Sequence, residues 1–462
     1  MVEKGGEMKI ESEKEIKSPL ISLCENENLR LEYIKYIIEK GCEINQCITI
    51  HQCYQPRSYT LYDALNLVCK SEKIDLEVIK FLIENKIDVN FLNEKDKKKS
   101  IDYALLNEKC VDEEILKYLI ENKCDPNWSP NNNPILKLLT RKEFPIHLVQ
   151  VLVEYGSDIH FLDPYQSNLL HYICKSKNIN FENFKYFIEK KIDINHTNKE
   201  NFSPFLHLCR NEKISYPILK CAIENNANIE DTIYFDQLLQ NKNVTVEMLK
   251  LFHCIENYTQ NDQYSPYFVA LKNKNISVEI LEFLFQKNFS LNAKKFDSTS
   301  PILDYLNQKK CKLEIIEFLI EKKSDINIYD SNKDTCLHLA AFDPLKEKIL
   351  PLLIKNKANV NALNNKKQTP LYNYISASNS NYNYFNFFVE NKADLNVLNS
   401  DEITPFLFLI KNKSPPFETI KYLVENKADL SQGIYNQGFI SFLYHFYYLL
   451  FYFIIQFFFT IF

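Results

Sequence analysis

The fold is decided by a twelve-residue phrase, IEFLIEKKSDIN at residues 316–327, which recurs along the chain. An eroded copy starts at Leu249. From Asn127 onward the copies follow one another every 31 to 35 residues, which indicates a structural repeat. The other copies are IKYIIEKGCEIN (34–45), IKFLIENKIDVN (79–90), LKYLIENKCDPN (116–127), VQVLVEYGSDIH (149–160), FKYFIEKKIDIN (184–195), LKCAIENNANIE (219–230), LEFLFQKNFSLN (281–292), LPLLIKNKANVN (350–361), FNFFVENKADLN (385–396) and IKYLVENKADLS (420–431).

Each phrase has the apolar spacing of an amphipathic helix, as Leu76, Ile79 and Leu82 show in one copy. A second phrase precedes it and reads as a helix start, because Ser or Thr can cap an open amide and proline suits the first helical position. We therefore predict units made of a helix, a turn, a helix and a polar finger, which must stack to bury their apolar faces. The starts are Ser18-Pro-Leu, Ser203-Pro-Phe, Ser265-Pro-Tyr, Ser300-Pro-Ile, Thr369-Pro-Leu and Thr404-Pro-Phe, with Asn168-Leu-Leu-His and Thr335-Cys-Leu-His as variants.

These phrases resemble those of an ankyrin-repeat protein, whose units open with T-P-L-H-x-A and close with G-A-D-V-N about every 33 residues. The resemblance covers residues 18–431 and about twelve degenerate units. It implies an all-α solenoid of stacked helix-turn-helix units with connecting fingers, preceded by a charged segment (1–17) and followed by a hydrophobic tail (432–462). The step from Asn45 to Asn90 is 45 residues and predicts an insertion at 46–57.

Two departures from the family pattern concern single residues. The family's glycine after the second helix, which adopts a left-handed conformation, is kept only at Gly41 and Gly156. Lysine or asparagine replaces it elsewhere, and the family's bridging histidine is in register only at His171 and His338, so the same bracing is in doubt in the other units. The replacements, each expected to cost about 1 kcal/mol, are Lys86, Lys123, Lys191, Asn226, Lys323, Lys357, Lys392 and Lys427.

The composition excludes several function classes. The chain has 462 residues and a net charge of −5, so it has no overall basic excess for nucleic acid. Its six glycines cannot form a dinucleotide-binding or P-loop motif. Nothing marks a nucleophile or an acid–base pair, and the repeats leave no room for a catalytic domain. We therefore expect a protein that is not an enzyme and needs no cofactor.

Thirteen cysteines are scattered from Cys24 to Cys336 without a C-x-x-C pair, and residues 1–18 have no signal-peptide pattern. This favours reduced thiols in a cytoplasmic protein. Cys24, Cys69, Cys174 and Cys209 share one phase of the repeat and are expected to fill the core. Cys42, Cys47, His51 and Cys53 could bind zinc, but their spacing matches no recurring zinc pattern, so the prediction is of ordinary thiols and no metal site.

The hypothesis for function is a non-enzymatic scaffold or adaptor, a monomeric array that binds other proteins through its concave face. Short basic runs in the fingers, such as 97–99 and 366–367, are either solvated tips or contact surfaces. We expect the contact residues to be exposed side chains of the fingers. They are Asn93, Lys95, Lys97, Lys98, Asn198, Glu200, Asn201, Asn332, Lys333, Asp334, Asn365, Lys366, Lys367 and Asp401.

The C-terminal residues 439–462 differ from the rest, because they have no Lys, Arg, Asp or Glu and thirteen of them are Phe or Tyr. Their length would suffice to span a bilayer. Three readings stay open: a membrane anchor, a packed terminal helix and a gene-model artefact. The alternatives to a soluble scaffold are accordingly a membrane-anchored adaptor, or a substrate receptor of a ubiquitin ligase.

Overall fold

The computed structural model describes the greater part of the chain, and it divides between Tyr234 and Phe235 into two compact units, unit 1 and unit 2. Helix α13, Thr232–Gln240, crosses this division. The described residues are 14–16, 18–26, 28–45, 47–51, 58–94, 96–107, 113–127, 133–139, 141, 144–253, 255, 265–295, 299–377, 384–412 and 417–429.

Unit 1 consists mainly of helix pairs. Within each pair a shorter first helix precedes the second helix, which contains the start of the recurring phrase. The pairs are α1 (Pro19–Cys24) with α2 (Leu31–Glu39), α3 (Ala64–Lys70) with α4 (Leu76–Glu84), α5 (Ser100–Leu106) with α6 (Glu113–Glu121), α7 (Pro134–Leu139) with α8 (Ile146–Glu154), α9 (Leu169–Lys175) with α10 (Phe181–Glu189), and α11 (Pro204–Arg210) with α12 (Tyr216–Glu224).

Unit 2 continues the same order of elements from within α13. A 3-10 helix, Pro344–Ile349, replaces the usual turn in one pair. The helices that follow α13 are α14 (Val246–Lys250), α15 (Tyr267–Ala270), α16 (Val278–Gln286), α17 (Pro301–Leu306), α18 (Leu313–Glu321), α19 (Cys336–Phe342), α20 (Leu350–Lys355), α21 (Pro370–Ser376), α22 (Phe385–Glu390), α23 (Pro405–Asn412) and α24 (Phe417–Glu425). The 24 helices of the described residues confirm the predicted all-α class.

The first helices begin where the Ser/Thr-Pro phrases predict. The Ser203 hydroxyl accepts a hydrogen bond from the Leu206 amide at 3.2 Å, and Pro204 is the first helical residue. Thr404 caps α23 in the same way. At Ser300 and Thr369 the backbone has the capping conformation, but the buried hydroxyl makes no hydrogen bond. The phrase therefore sets the helix start even where the hydroxyl itself does not cap.

The second helices end in the predicted left-handed residue. The backbone φ is +65° at Lys323, +69° at Lys357 and +64° at Lys392. The residue places the following amide against the last turn, as where the Ala358 amide donates to the Leu353 carbonyl at 3.0 Å. All ten positions predicted from the sequence adopt positive φ, and Asn288, which was not predicted, does so as well.

An asparagine ends eight of the recurring phrases and joins one repeat to the next. The Asn327 amide group donates to the Lys357 carbonyl at 3.3 Å, and its oxygen accepts from the Asn359 amide at 2.8 Å. Asn361 makes the same two bonds to Lys392 and Asp394. The asparagine side chain thus provides hydrogen-bond partners for one carbonyl and one amide beside the left-handed residue of the next repeat. Without the asparagine, these two backbone groups would have only solvent as a partner. The same pair of bonds is made by Asn45, Asn90, Asn127, Asn195, Asn292 and Asn396.

The core lies between the helices and contains the cysteines of the predicted phase. Cys69, Cys174 and Cys209 are fully buried and Cys24 nearly so, as predicted. Burial raises the pKa of the Cys24 thiol to about 12, so this thiol stays protonated. The cysteines of this phase therefore behave as small apolar core residues.

A small sheet near the N-terminus was not predicted. Strands β1 (Lys14–Ile16), β2 (Cys47–His51) and β3 (Ser58–Asp63) are antiparallel, in the order β1-β2-β3. Glu15 pairs with Ile50, and Ile50 pairs with Tyr59. The insertion at 46–57 and the N-terminal segment thus contribute strands to unit 1, where the sequence indicated only an insertion and a charged segment.

Candidate partner-binding surface

Five of the described fingers share one turn geometry. In each of the five, an Asp or Asn is followed three residues later by a left-handed residue, whose amide donates back to the Asp or Asn carbonyl at 2.8–3.0 Å. The Asp or Asn side chain accepts amide hydrogen bonds within the same turn, which fixes the finger from inside. The pairs are Asp163 with Gln166, Asn198 with Asn201, Asp330 with Lys333, Asn364 with Lys367, and Asn399 with Glu402.

Neighbouring fingers of unit 2 are joined by backbone hydrogen bonds. The Asn365 amide donates to the Asn332 carbonyl, and the Ser400 amide donates to the Lys366 carbonyl, both at 2.9 Å. The Asn364 side chain also donates to the Asp334 carboxylate at 2.9 Å. Three fingers therefore form one surface with fixed spacing, and we call residues 329–334, 363–368 and 398–402 the finger surface.

Large apolar side chains lie on this surface at one repeat position. Tyr329, Leu363 and Leu398 each precede the Asp or Asn of a finger turn, and they are 53 %, 48 % and 41 % exposed. Exposed apolar side chains scattered singly are ordinary, but a row in register on rigid turns is typical of an interaction surface. The row was missed in the sequence analysis, and the signal for it was the apolar residue preceding Asp330, Asn364 and Asn399.

The predicted contact residues divide by exposure. Asn93 and Asn198 are 1 % and 8 % exposed, so the prediction that these two side chains are exposed is wrong. Their side chains hold turns: Asn198 accepts from the amides of Glu200 and Phe202, and Asn93 donates to the Tyr103 hydroxyl at 2.8 Å. Lys95 lies outside the described residues.

The other predicted contact residues are mostly exposed. Lys98 is an exception, because it lies 3.5 Å from the Asp96 carboxylate and 5.7 Å from the centre of the Tyr103 ring. Asp334 is half-buried beside Asn364. Their contact role stays a prediction, as it does for the exposed members Lys97, Glu200, Asn201, Asn332, Lys333, Asn365, Lys366, Lys367 and Asp401.

The bridging histidines brace the fingers as the resemblance implies. Nε2 of His171 lies 3.0 Å from the Phe202 carbonyl, and Nε2 of His338 lies 3.0 Å from the Gln368 carbonyl. Since Nδ1 accepts from the amide of the helix start, Nε2 carries the proton and donates to the next finger. Burial lowers the pKa of both imidazoles, which favours this neutral form.

In a repeat without the histidine, a tyrosine joins the first helix to the next finger. The Tyr372 hydroxyl lies at the same helix position and reaches two carbonyls of the next finger, Val397 at 2.6 Å and Ile403. The expectation that bracing is in doubt where histidine is absent is therefore wrong for this unit. A phenol on the same helical position reaches the same neighbour because it is longer than an imidazole.

The zinc hypothesis falls partly outside the described residues. The Cys53 residue and the side chain of His51 are among those not described, while Cys42 and Cys47 are half-buried free thiols. Within the described part of the chain, no group of three or more His, Cys, Asp or Glu side chains could hold a metal ion.

The hydrophobic tail is also not described, so its three readings stay open. Of the helices that the structure describes, none is both long and apolar enough to cross a bilayer.

Helix pairs joined by asparagine bonds, with rigid turns projecting from each junction, define a helical repeat protein. Residues 303–399, which run from within α17 to beyond α22, match the family model described as ankyrin repeats in three copies. This part of the chain therefore consists of ankyrin repeats, the family that the sequence resembles. A search of curated proteins found no match.

The family match extends over the finger surface to Asn399, and the count of about twelve repeats stays a prediction. Ankyrin repeats are protein–protein interaction modules, and proteins built from them are generally non-enzymatic scaffolds that bind other proteins.

Proposed function

We propose that the chain is a non-enzymatic adaptor that captures a protein partner on the finger surface of unit 2. The observation that carries the proposal is the row of Tyr329, Leu363 and Leu398, exposed on three fingers that are bonded to one another. Rigid turns hold these side chains without a cost in ordering them at the moment of binding, which favours affinity.

The charges around the row define the kind of partner. Lys366 and Lys367 are exposed on the middle finger, and Asp401 and Glu402 are exposed on the next one. A complementary partner has acidic side chains opposite the middle finger, basic side chains opposite the last, and apolar side chains over the row. An extended or loop segment of another protein with this pattern fits the surface.

The proposal is tested by capture of partners from a lysate with the full chain as bait, quantified by mass spectrometry. Replacing Tyr329, Leu363 and Leu398 by Ser should reduce the true partner at least about tenfold, because central apolar anchors dominate interface energies. Val424→Ser is the control, since Val424 is 43 % exposed on the second helix α24. Equal capture by the triple variant and the control would refute the finger surface as the site.

Charge reversal tests the second feature of the partner. Lys366→Glu with Lys367→Glu should weaken capture and make it less sensitive to salt, while the helical circular dichroism signal stays unchanged. Lys97 and Lys98 are less suited to this experiment, because Lys98 contacts Asp96 and Tyr103 and its reversal would also disturb the finger. The cytoplasmic location stays a prediction.

A further inference from the structure

The turns between the two helices of each pair lie side by side in unit 2. The Asn273 amide group donates to the carbonyls of Leu239 and Asn241, both at 2.8 Å, and Gln308 donates to the Leu271 carbonyl at 2.9 Å. The 3-10 helix packs against α18, which follows the turn that contains Gln308. We call residues 240–245, 271–277, 306–312 and 342–349 the turn edge.

The turn edge is basic although the chain is acidic overall. Its first three turns, QNKNVT, LKNKNIS and LNQKKCK, contain six lysines and no acidic residue. The fourth turn, FDPLKEKI, contains two lysines and two acidic residues, and Glu247, Glu279 and Glu314 follow in the next helices. The edge therefore keeps an excess of cations, eight lysines against five carboxylates, in a chain of net charge −5. The lysines are exposed and lie at 242, 272, 274, 309, 310 and 312.

Two large apolar side chains project from the same edge. Leu345 and Phe342 are 78 % and 62 % exposed, and Leu313 at the start of α18 is 40 % exposed. Leu345 is held outward by its turn, since Asp343 accepts a hydrogen bond from the Leu345 amide at 3.0 Å and pairs with the buried Lys346 at 3.0 Å. This turn buries Lys346 and exposes Leu345, which is the reverse of an ordinary solvated loop.

We propose that the turn edge of unit 2 docks on the surface of an anionic lipid membrane. The lysines of three adjacent turns would lie against lipid phosphates and carboxylates, and Phe342 and Leu345 would enter the boundary between headgroups and acyl chains. Basic residues beside protruding apolar side chains match this boundary, which offers negative charge and hydrocarbon at adjacent depths. An acidic protein segment would match the lysines but would leave the protruding pair without a defined pocket.

The first test is co-sedimentation of the full chain with vesicles. Vesicles of phosphatidylcholine with about 30 % phosphatidylserine should bind the protein in low salt, and pure phosphatidylcholine should bind it less. Each basic residue near such a surface strengthens attachment about fivefold. Lys272, Lys274, Lys309 and Lys310 changed together to Glu should therefore weaken binding at least about a hundredfold.

A matched control separates this edge from general charge effects. Lys294, Lys333, Lys366 and Lys367 changed to Glu alter the net charge by the same amount on the fingers of unit 2. This variant should bind phosphatidylserine vesicles nearly as the wild type does while losing the protein partner of the finger surface. If the two quadruple variants bind vesicles equally, or the wild type does not distinguish the two kinds of vesicle, the proposal is wrong.

The second test places a reporter at the apolar side chains. Trp128 is the chain's single tryptophan, so Trp128→Phe with Leu345→Trp gives one tryptophan on the turn edge. Brominated lipid in phosphatidylserine vesicles should quench it, whereas the tryptophan of Trp128→Phe with Leu363→Trp on the finger surface should stay unquenched. Binding without quenching at position 345 would assign attachment to another part of the chain, the hydrophobic tail included, and would overturn the proposal.

Discussion

At the scale of single residues, stability depends on side chains that hydrogen-bond backbone groups and on residues that adopt a left-handed backbone conformation. The left-handed slot at the end of each second helix could be predicted because the repeat aligns lysine or asparagine with the family's glycine. The left-handed residues of the fingers, such as Lys333 and Lys367, were not predicted. Their positions follow from an Asp or Asn three residues earlier, a turn signal too common in this chain to stand out alone.

Glycine at the left-handed positions should stabilise the protein. We expect Lys323→Gly, Lys357→Gly and Lys392→Gly each to raise the free energy of unfolding by about 0.5–1 kcal/mol, because glycine adopts positive φ without strain. Urea unfolding followed by circular dichroism measures this. Lys355→Gly, at the last residue of α20, should instead cost about 1 kcal/mol. Destabilisation at all four positions would contradict the argument from strain.

Removing an asparagine that joins two repeats should lower the free energy of unfolding more than removing an asparagine of an exposed finger. Asn327→Ala removes bonds to Lys357 and Asn359, so the free energy of unfolding should fall by about 1–2 kcal/mol. Asn332→Ala, on an exposed finger, should change it by less than about 0.5 kcal/mol. The same urea titration compares them, and similar values would mean that the asparagine bonds do not contribute to stacking.

At the scale of elements, first helices and fingers are coupled by buried polar side chains. The sequence predicted the histidine bracing through the family resemblance but not its replacement by Tyr372, since a hydroxyl at this position has no recurring pattern. Nor did it predict that Lys137 of α7 and Asp102 of α5 form a buried ion pair. Charged residues are seldom buried, and only the stacked helices show that these two meet.

Breaking the buried ion pair should be strongly destabilising. Burial lowers the pKa of Lys137, although the Asp102 carboxylate opposes that effect. We expect Lys137→Met to cost about 3–5 kcal/mol, because it leaves the Asp102 charge buried without its cation. Adding Asp102→Leu should recover part of this loss in a double-mutant cycle. An additive cycle, with no recovery, would show that the two side chains do not interact.

His207 of unit 1 should make the stability of the protein depend on pH. Burial, followed by repulsion from His171, Lys175 and Arg210, lowers the pKa of His207 to about 4 from its ordinary value of 6.5. The unfolded chain therefore binds a proton at a higher pH than the folded chain does, and stability is lost as the pH falls from about 6.5 to about 4.

The change that isolates this contribution is His207→Phe, which keeps a ring to stack on Phe202. Thermal unfolding across pH 7 to 4 should show a shallower loss of stability than in the wild type. His160→Phe, at an exposed histidine, is the control and should follow the wild type. If both variants show the wild-type dependence of stability on pH, His207 does not contribute to that dependence.

At the scale of the whole molecule, the repeat could be predicted because the same phrase recurs many times in the sequence at a nearly constant spacing. The predicted array over 18–431 stays a prediction. The division between Tyr234 and Phe235 falls inside a helix and was not predicted, since no glycine- or proline-rich linker precedes it. The strands of unit 1 were missed because β1 and its partner β2 are separated by about thirty residues of helical pattern. The finger surface could not be predicted from the sequence, because the exposure of a side chain depends on which turns stack against one another.

Capture of a partner on the finger surface is tested most directly by site-specific photo-cross-linking of the full chain. A benzophenone amino acid is placed in turn at Leu363, Leu398 and, as the reference on α24, Val424. We expect Leu363 and Leu398 to cross-link to the same protein and Val424 not to do so. Cross-links of equal yield from Val424, or none from the two finger positions, would contradict capture on the finger surface.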